Sequence, residues 1–231
     1  FGLDSFKGWW NAVTTADIDG DGDLDIIAGN HGLNSFFKDT TRMYVHDFDG
    51  NGTLDYIFCE SRGGKFYPVA DRNELVSQLP ALKKKLLYFK DYAGMSIEDI
   101  FPESQLRKAT IWDATVMESS VFYNEKTTFT RKPLDPKLQY GPVYAIQSID
   151  QAKGGINEIL FGGNQYLVKP QFGRYDALPL SLWRIDETTN KVHQFPLLTQ
   201  IRDFEIVIIE DKKYIIVANN NDKPEIYEKI D

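Results

Sequence analysis

Five aspartates, Asp17, Asp19, Asp21, Asp23 and Asp25, stand at every second position of ADIDGDGDLDIIAGN, residues 16–30. Counted from Asp17 the spacing is D-x-D-x-D-G-x-x-D, with Gly22 where the chain must turn sharply. An oxygen-rich loop of this kind suits Ca²⁺, a hard ion that takes six to eight oxygen ligands at about 2.3–2.6 Å. The spacing assigns the side chains of Asp17, Asp19, Asp21 and Asp25 to one ion. The backbone carbonyl of Asp23 and a water complete that shell. Thirty residues on, VHDFDGNGTLDYIFC, residues 45–59, repeats the pattern. Its equivalents are Asp47, Asp49, Asn51 and Asp55, with the carbonyl of Thr53. Two Ca²⁺ sites are therefore expected. The first should bind more tightly, because it offers four carboxylates where the second offers three and an amide.

Plain polar turns would account for the glycines but not for the density of charge. Two carboxylates about 4 Å apart repel by roughly 4 kcal/mol at an effective dielectric near 20. Ile18, Leu24, Phe48 and Leu54 interleave with the acids, and their burial would pin both loops to the core. An EF-hand would need Glu at position twelve and helices on both sides. Position twelve is Ala28 in one loop and Phe58 in the other, and the following LDIIAG and LDYIFC read as strand. Each ion is thus expected at a bend between two strands.

The elements that carry these loops are repeated. SIDQAKGGINEILFGGN, residues 148–164, aligns Asp150 with Asp17, Gly155 with Gly22 and Glu158 with Asp25. Ala152, Lys153 and Gly154 replace its middle acids, so metal is not expected there. A fourth copy, IVIIEDKKYIIVANN, keeps two apolar runs around a short charged loop. The runs end alike, in IIAGN, ILFGGN and IIVANN. SVFYNEKTTFTRKPL, residues 120–134, also resembles SLWRIDETTNKVHQFPL, residues 181–197: an aromatic strand, a polar turn and a second strand. IYEKI begins a third such element. Repeats of a few tens of residues built from short strands point to stacked β units such as propeller blades. Residues 71–108 break the rhythm and read as a helical insertion within a blade. Asp71 or Asn73 caps its start, and Pro80 and Gly94 bound a second helix in which Leu82, Leu86 and Phe89 share a face. Ser96 with Asp99 is a variant capping box. The expected architecture is one all-β domain, residues 1–231, of about four blades with this insertion.

The chain has 231 residues, is 42% hydrophobic and carries a net charge of −8. The acidic balance argues against nucleic acid, whose phosphates need clustered Lys and Arg. Lys83, Lys84 and Lys85 form the one basic run, which reads as a solvated helix face. No apolar run is long enough for a transmembrane segment. Cys59 is alone, inside the apolar YIFC, and reads as a buried thiol rather than half of a disulfide.

D-x-D-x-D-G-x-x-D followed by an apolar strand is similar to the calcium loop of FG-GAP or VCBS repeats, which build integrin-like β-propellers. GWWNAVTTADIDGDGDLDIIAGNHGLN, HDFDGNGTLD, the insert around LPALKKKLLYFKDYAG, and GNQYLVKPQFGRYDA resemble a large bacterial group of these proteins, in that order over residues 8–185. The resemblance implies a secreted or cell-surface protein with calcium-stiffened blades. Such propellers commonly have about seven blades, so about four legible units look like the C-terminal portion of a larger one.

A calcium-tied propeller is a scaffold first, and a non-catalytic binding or adhesion module for glycan or protein is the expected function. The residues offered for ligand contact are Arg174, Tyr175 and Asp176, in a loop after the third apolar run. Trp9, Trp10, Trp112 and Trp183 read as blade core. No Ser, Cys or His is placed for nucleophilic catalysis. The alternative is a propeller-based polysaccharide lyase or glycoside hydrolase, which needs paired carboxylates. Glu60, Glu118 and Asp176 are available for that, with no spacing that marks a pair. Exposed blade edges offer a route to association.

Overall fold

The computed structural model describes residues 1–151, 157–185 and 190–229. Its strands begin with β1 (Ala12–Ala16), β2 (Asp25–Gly29), β3 (Thr41–His46), β4 (Asp55–Arg62), β5 (Lys65–Pro68) and β6 (Thr110–Ala114). They continue with β7 (Ser120–Asn124), β8 (Phe129–Pro133), β9 (Val143–Gln151), β10 (Asn157–Gly163) and β11 (Ser181–Ile185). The last are β12 (Asn190–Gln194), β13 (Ile201–Ile209), β14 (Lys212–Asn219) and β15 (Glu225–Glu228). They form four antiparallel sheets, ordered β1-β2-β7-β8, β9-β10-β11-β12, β13-β14-β15 and β5-β4-β3-β6. Two compact units result, one from Phe1–Phe36 with Met117–Asp231 and one from Phe37–Val116.

The first unit holds three of the sheets. Its opening sheet is interrupted after β2 and resumes only at β7, which pairs with β2 through Ile26↔Phe122 and Ile27↔Val121. The hairpin 120–134 thus completes the sheet of the first copy, as 181–194 completes that of the third. Side chains alternate across each strand, so one sheet serves two cores. Ile27 and Val121 of the first sheet join Ile159, Phe161 and Trp183 of the second in one cluster. Leu160 of the second meets Ile201, Phe204 and Val217 of the third in another. Each such side chain, fully buried, contributes about 1.5–3 kcal/mol.

The shared run endings have a packing cause. A Cβ added at Gly29 would lie 2.6 Å from Cγ1 of Val143, and one at Gly162 would lie 2.5 Å from Cγ2 of Ile201. In both places the first strand of the next sheet crosses over bare backbone. The asparagines that close these runs, Asn30 and Asn164, are fully buried. Asn164 Oδ1 accepts from Leu178 N at 2.9 Å, and its Nδ2 donates to the carbonyls of Leu178 and Thr199. Asn30 likewise donates to Glu118 O and accepts from His31 N.

The second unit is the sheet β5-β4-β3-β6 with the helices α1 (Arg72–Gln78), α2 (Phe89–Tyr92), α3 (Ile97–Ile100) and α4 (Glu103–Leu106) between β5 and β6. In the other sheets the first strand is an edge; here β6 covers the far side of β3. Leu75, Leu79, Leu86, Ile97, Ile100 and Phe101 pack on Tyr44, Phe48, Ile57 and Cys59. Burial pushes the Cys59 thiol well above its usual range. Asp71 caps α1, accepting from Glu74 N at 2.9 Å while Glu74 accepts from Asp71 N. Asp99 accepts from the backbone N–H and the hydroxyl of Ser96. Phe89 does not share the face of Leu82 and Leu86: it is exposed. Residues 80–84 form a tight 3-10 turn and a new helix starts at Phe89, so the helical spacing is broken between them.

Candidate metal centre

Both acidic loops join the first two strands of a sheet and span the same length. The β1–β2 register closes at Ala16↔Asp25 and the β3–β4 register at His46↔Asp55. Five hydrogen bonds recur in matching positions. Asp17 accepts from Gly20 N and Gly22 N at 2.8 and 3.0 Å, as Asp47 does from Gly50 N and Gly52 N at 2.7 and 2.9 Å. Asp19 accepts from Asp21 N as Asp49 does from Asn51 N; Asp21 accepts from Asp23 N as Asn51 does from Thr53 N. Asp25 accepts from Ile18 N at 2.8 Å, and Asp55 from Phe48 N at 3.0 Å. The glycines supply the positive φ that this path needs, 78° and 92° at Gly20 and Gly22 and 76° and 88° at Gly50 and Gly52.

The first loop gathers carboxylate oxygens of Asp17, Asp19 and Asp21 within 4.8 Å of one another; the second gathers those of Asp47, Asp49 and Asp55. Asp25 stands apart from the first group. It is buried, and its second oxygen accepts from Asn124 N of β7 at 2.8 Å. Desolvation raises its pKa, against the two backbone donors that lower it. Asp47 lies below the usual carboxylate range, chiefly because Gly52 N–H donates to it. Asn51 turns its oxygen to the N–H and hydroxyl of Thr53. Asp23 is half-buried. Ile18 and Phe48 are buried, as their positions require, but Leu24 and Leu54 are 53% and 61% exposed. Each precedes the acid that turns inward, and strand alternation sends it out.

Residues 9–46 match the family model of the FG-GAP repeat. The chain carries an FG-GAP repeat. The FG-GAP span contains the whole first loop and ends at His46, just before the second. With that repeat running through β1, β2 and β3, the four antiparallel sheets are propeller-type blades. No curated protein matches the chain.

The other copies of the loop depart from the FG-GAP pattern. Residues 152–156, the middle of the third copy, lie outside the described residues. Its closing acid, Glu158, is buried and faces cations, Lys229 Nζ at 2.7 Å and Arg184 Nε at 3.6 Å. In the fourth copy a two-residue turn at Glu210 and Asp211, with φ of 49° and 62°, joins Ile209 to Lys212.

A hard cation fits the two loops chemically. Their donors are all oxygen, with neither His nor Cys in either group. At 4.8 Å each pair of carboxylates repels by about 1 kcal/mol in water and about 3.5 kcal/mol at a dielectric near 20.

Of the residues offered for ligand contact, Tyr175 is buried against His31, ring centroids 4.7 Å apart. Its backbone bridges Gln165 in both directions, closing the loop between them. Arg174 and Asp176 are half-exposed and 3.5 Å apart, and the Arg174 guanidinium lies 3.6 Å over the Tyr166 ring. Glu60, Glu118 and Asp176 each face an arginine, Arg62, Arg131 and Arg174. Trp183 is core; Trp9 meets His31 edge-to-face, and Trp10 meets Phe122 in the same way. Trp112 is 60% exposed. Sequence reasoning missed Asn124, whose N–H ties the first loop to β7; its signal was only an Asn ending an aromatic strand.

Burial lowers the His31 pKa to about 4. The unfolded chain then binds more protons than the folded one between pH 6.5 and about 4, so stability is full above that window and lost as pH falls through it. The loss amounts to about 3 kcal/mol at most. His31→Phe, which keeps a ring between Trp9 and Tyr175, is expected to flatten the dependence of melting temperature on pH across the window. An unchanged slope would assign the acid sensitivity elsewhere.

Proposed function

We propose that the chain is a calcium-stabilised, exported β-propeller module that binds a glycan or a protein and does no chemistry on it. The recurrence of one hydrogen-bonded acidic loop in two separate sheets carries this reading. Asp17, Asp19 and Asp21 in one loop, and Asp47, Asp49 and Asp55 in the other, would each hold one ion. Bound Ca²⁺ supplies charge neutralisation and a cross-link between the strands of its turn. The residues themselves fix the loop path and keep the acids aimed together. Extracellular calcium modules work at roughly 0.1–1 mM, a level that favours a secreted or cell-surface location. Glu60, Glu118 and Asp176 are each paired with an arginine, where a glycosidase sets one carboxylate opposite another across the scissile bond, and this favours binding over hydrolysis. Arg174 and Asp176, on the loop that Tyr175 closes, are the proposed ligand contacts.

Calorimetric titration with Ca²⁺ is expected to find two sites in the parent chain and one in Asp19→Ala. Two sites in that variant would contradict the assignment. A glycan array run beside a polysaccharide panel tests the rest: retention without product supports a binding module, and released sugar overturns it.

A further inference from the structure

Six of the chain's eight arginines face a carboxylate: Arg42, Arg62, Arg107, Arg131, Arg174 and Arg184. Arg202, the second residue of β13, faces none among the described residues, although it is half-buried and the chain carries a net charge of −8. Its Nη1 donates to the carbonyls of Asn164 and Ile201, both at 2.9 Å, and its Nε and Nη2 have no partner among the described residues. The neighbouring Asp203 turns instead to Phe204 N. Burial lowers the Arg202 pKa. A charge withdrawn from water without a counter-charge costs free energy.

The groups around this guanidinium are held in place and are short of acceptors. Arg202 lies 4.3 Å over the Tyr144 ring. The Tyr144 hydroxyl donates to Gln165 Oε1 at 2.9 Å, which leaves Gln165 Nε2 as another open donor. Gln165 is fixed from behind, because its backbone bridges Tyr175 in both directions. The Tyr175 hydroxyl is buried with no partner among the described residues. The Tyr144 pKa is raised, by burial first; Arg202 lowers it and Tyr175 raises it, so both stand near its hydroxyl. Tyr144 and Gln165 are half-buried, like Arg202, so a solute can reach all three.

We propose that Arg202 and Gln165 hold a uronic-acid unit of an acidic glycan, with its carboxylate on Arg202. The Nε and Nη2 edge of a guanidinium meets a carboxylate with two parallel hydrogen bonds. Gln165 Nε2 donates to a neighbouring sugar oxygen. A neutral donor beside the charged fork suits a sugar acid, in which hydroxyl and ring oxygens flank each carboxylate. The inference rests on the reading of the chain as a binding module and names its ligand class. It adds Arg202 and Gln165 to Arg174 and Asp176 as contacts, and none of these residues belongs to the acidic loops.

The probes are trisaccharides of galacturonate, glucuronate and mannuronate, each beside its carboxyl-reduced form, titrated into the full chain by calorimetry at constant calcium. At least one acid form is expected to bind, and its reduced form to bind about tenfold to a hundredfold more weakly, a comparison that leaves the protein untouched. Arg202→Lys keeps the cation and loses the fork, and is expected to weaken the acid form about tenfold. Gln165→Glu keeps the acceptor for Tyr144 and sets a negative charge at the site; it is expected to lose the acid form at a melting temperature no lower than the parent's. No binding of any acid form at millimolar concentration overturns the inference. Equal binding of an acid and its reduced form also overturns it, and leaves the binding module itself standing. Displacement by inorganic phosphate at equal affinity, or tighter binding of a polyglutamate peptide, overturns it by assigning the site to a free anion or to a protein. Cleavage of a trisaccharide overturns the non-catalytic reading on which it rests.

Discussion

Adding EDTA to the protein in millimolar calcium is expected to lower its melting temperature by about 5–20 °C. An ion that binds only the folded state at a hundred times its Kd stabilises by about 2.7 kcal/mol. That corresponds to about 2–4 °C per kcal/mol in a unit of 150–250 residues and about 4–8 °C in one of 60–100. The two loops lie in different compact units, so the smaller one, Phe37–Val116, should shift further. Without a cation each loop must hold three converging carboxylates against their own repulsion. Differential scanning calorimetry checks this, with excess Ca²⁺ restoring the original trace. Superimposable traces with and without chelator would remove the metal from the account.

Gly163→Ala is expected to cost about 3 kcal/mol or more and to lower the melting temperature by about 6–12 °C. The glycine ends β10 at a register shift, where Gly162 pairs with Ala145 and Gly163 with Val143. A Cβ there would overlap the carbonyl oxygen of Pro142 and lie 2.8 Å from its carbonyl carbon. The obstacle is backbone, which cannot rotate away as a side chain can. The same carbonyl accepts from Asn164 N at 3.0 Å, so moving it also breaks a buried bond. Thermal melts of the variant and parent, with calcium held constant, measure the effect. A variant within 1 °C of the parent would mean that the β9–β10 junction is far more pliant than its packing implies.

Legibility of the fold followed the range of the interactions. The acidic loops could be read because their geometry is local: an acid, a glycine and an N–H a few residues apart make the whole path. Alternating apolar residues showed the strands, and the paired hairpins at 120–134 and 181–194 showed which segments are equivalent. Asp25 illustrates the limit. Its spacing from Asp17 makes it a ligand by pattern, yet Asn124, ninety-nine residues away, claims one of its oxygens. No local rule reports such a partner. Phe89 shows another limit: three apolar residues in helical register predict one face only if the helix runs through them, and here the chain tightens and restarts.

Taken alone, the residue order determined the chemistry of the loops, the strand-and-turn rhythm and the expectation of stacked sheets, because each depends on neighbours within a few positions. Tertiary structure decided what lies between them. It interrupts the first sheet after β2 with the unit Phe37–Val116, sets Val143 and Ile201 over Gly29 and Gly162, and brings Ile201, Phe204 and Val217 onto Leu160. Those outcomes depend on which distant surfaces meet, and burial energy, being proportional to area and blind to sequence distance, is settled only when the whole chain has packed.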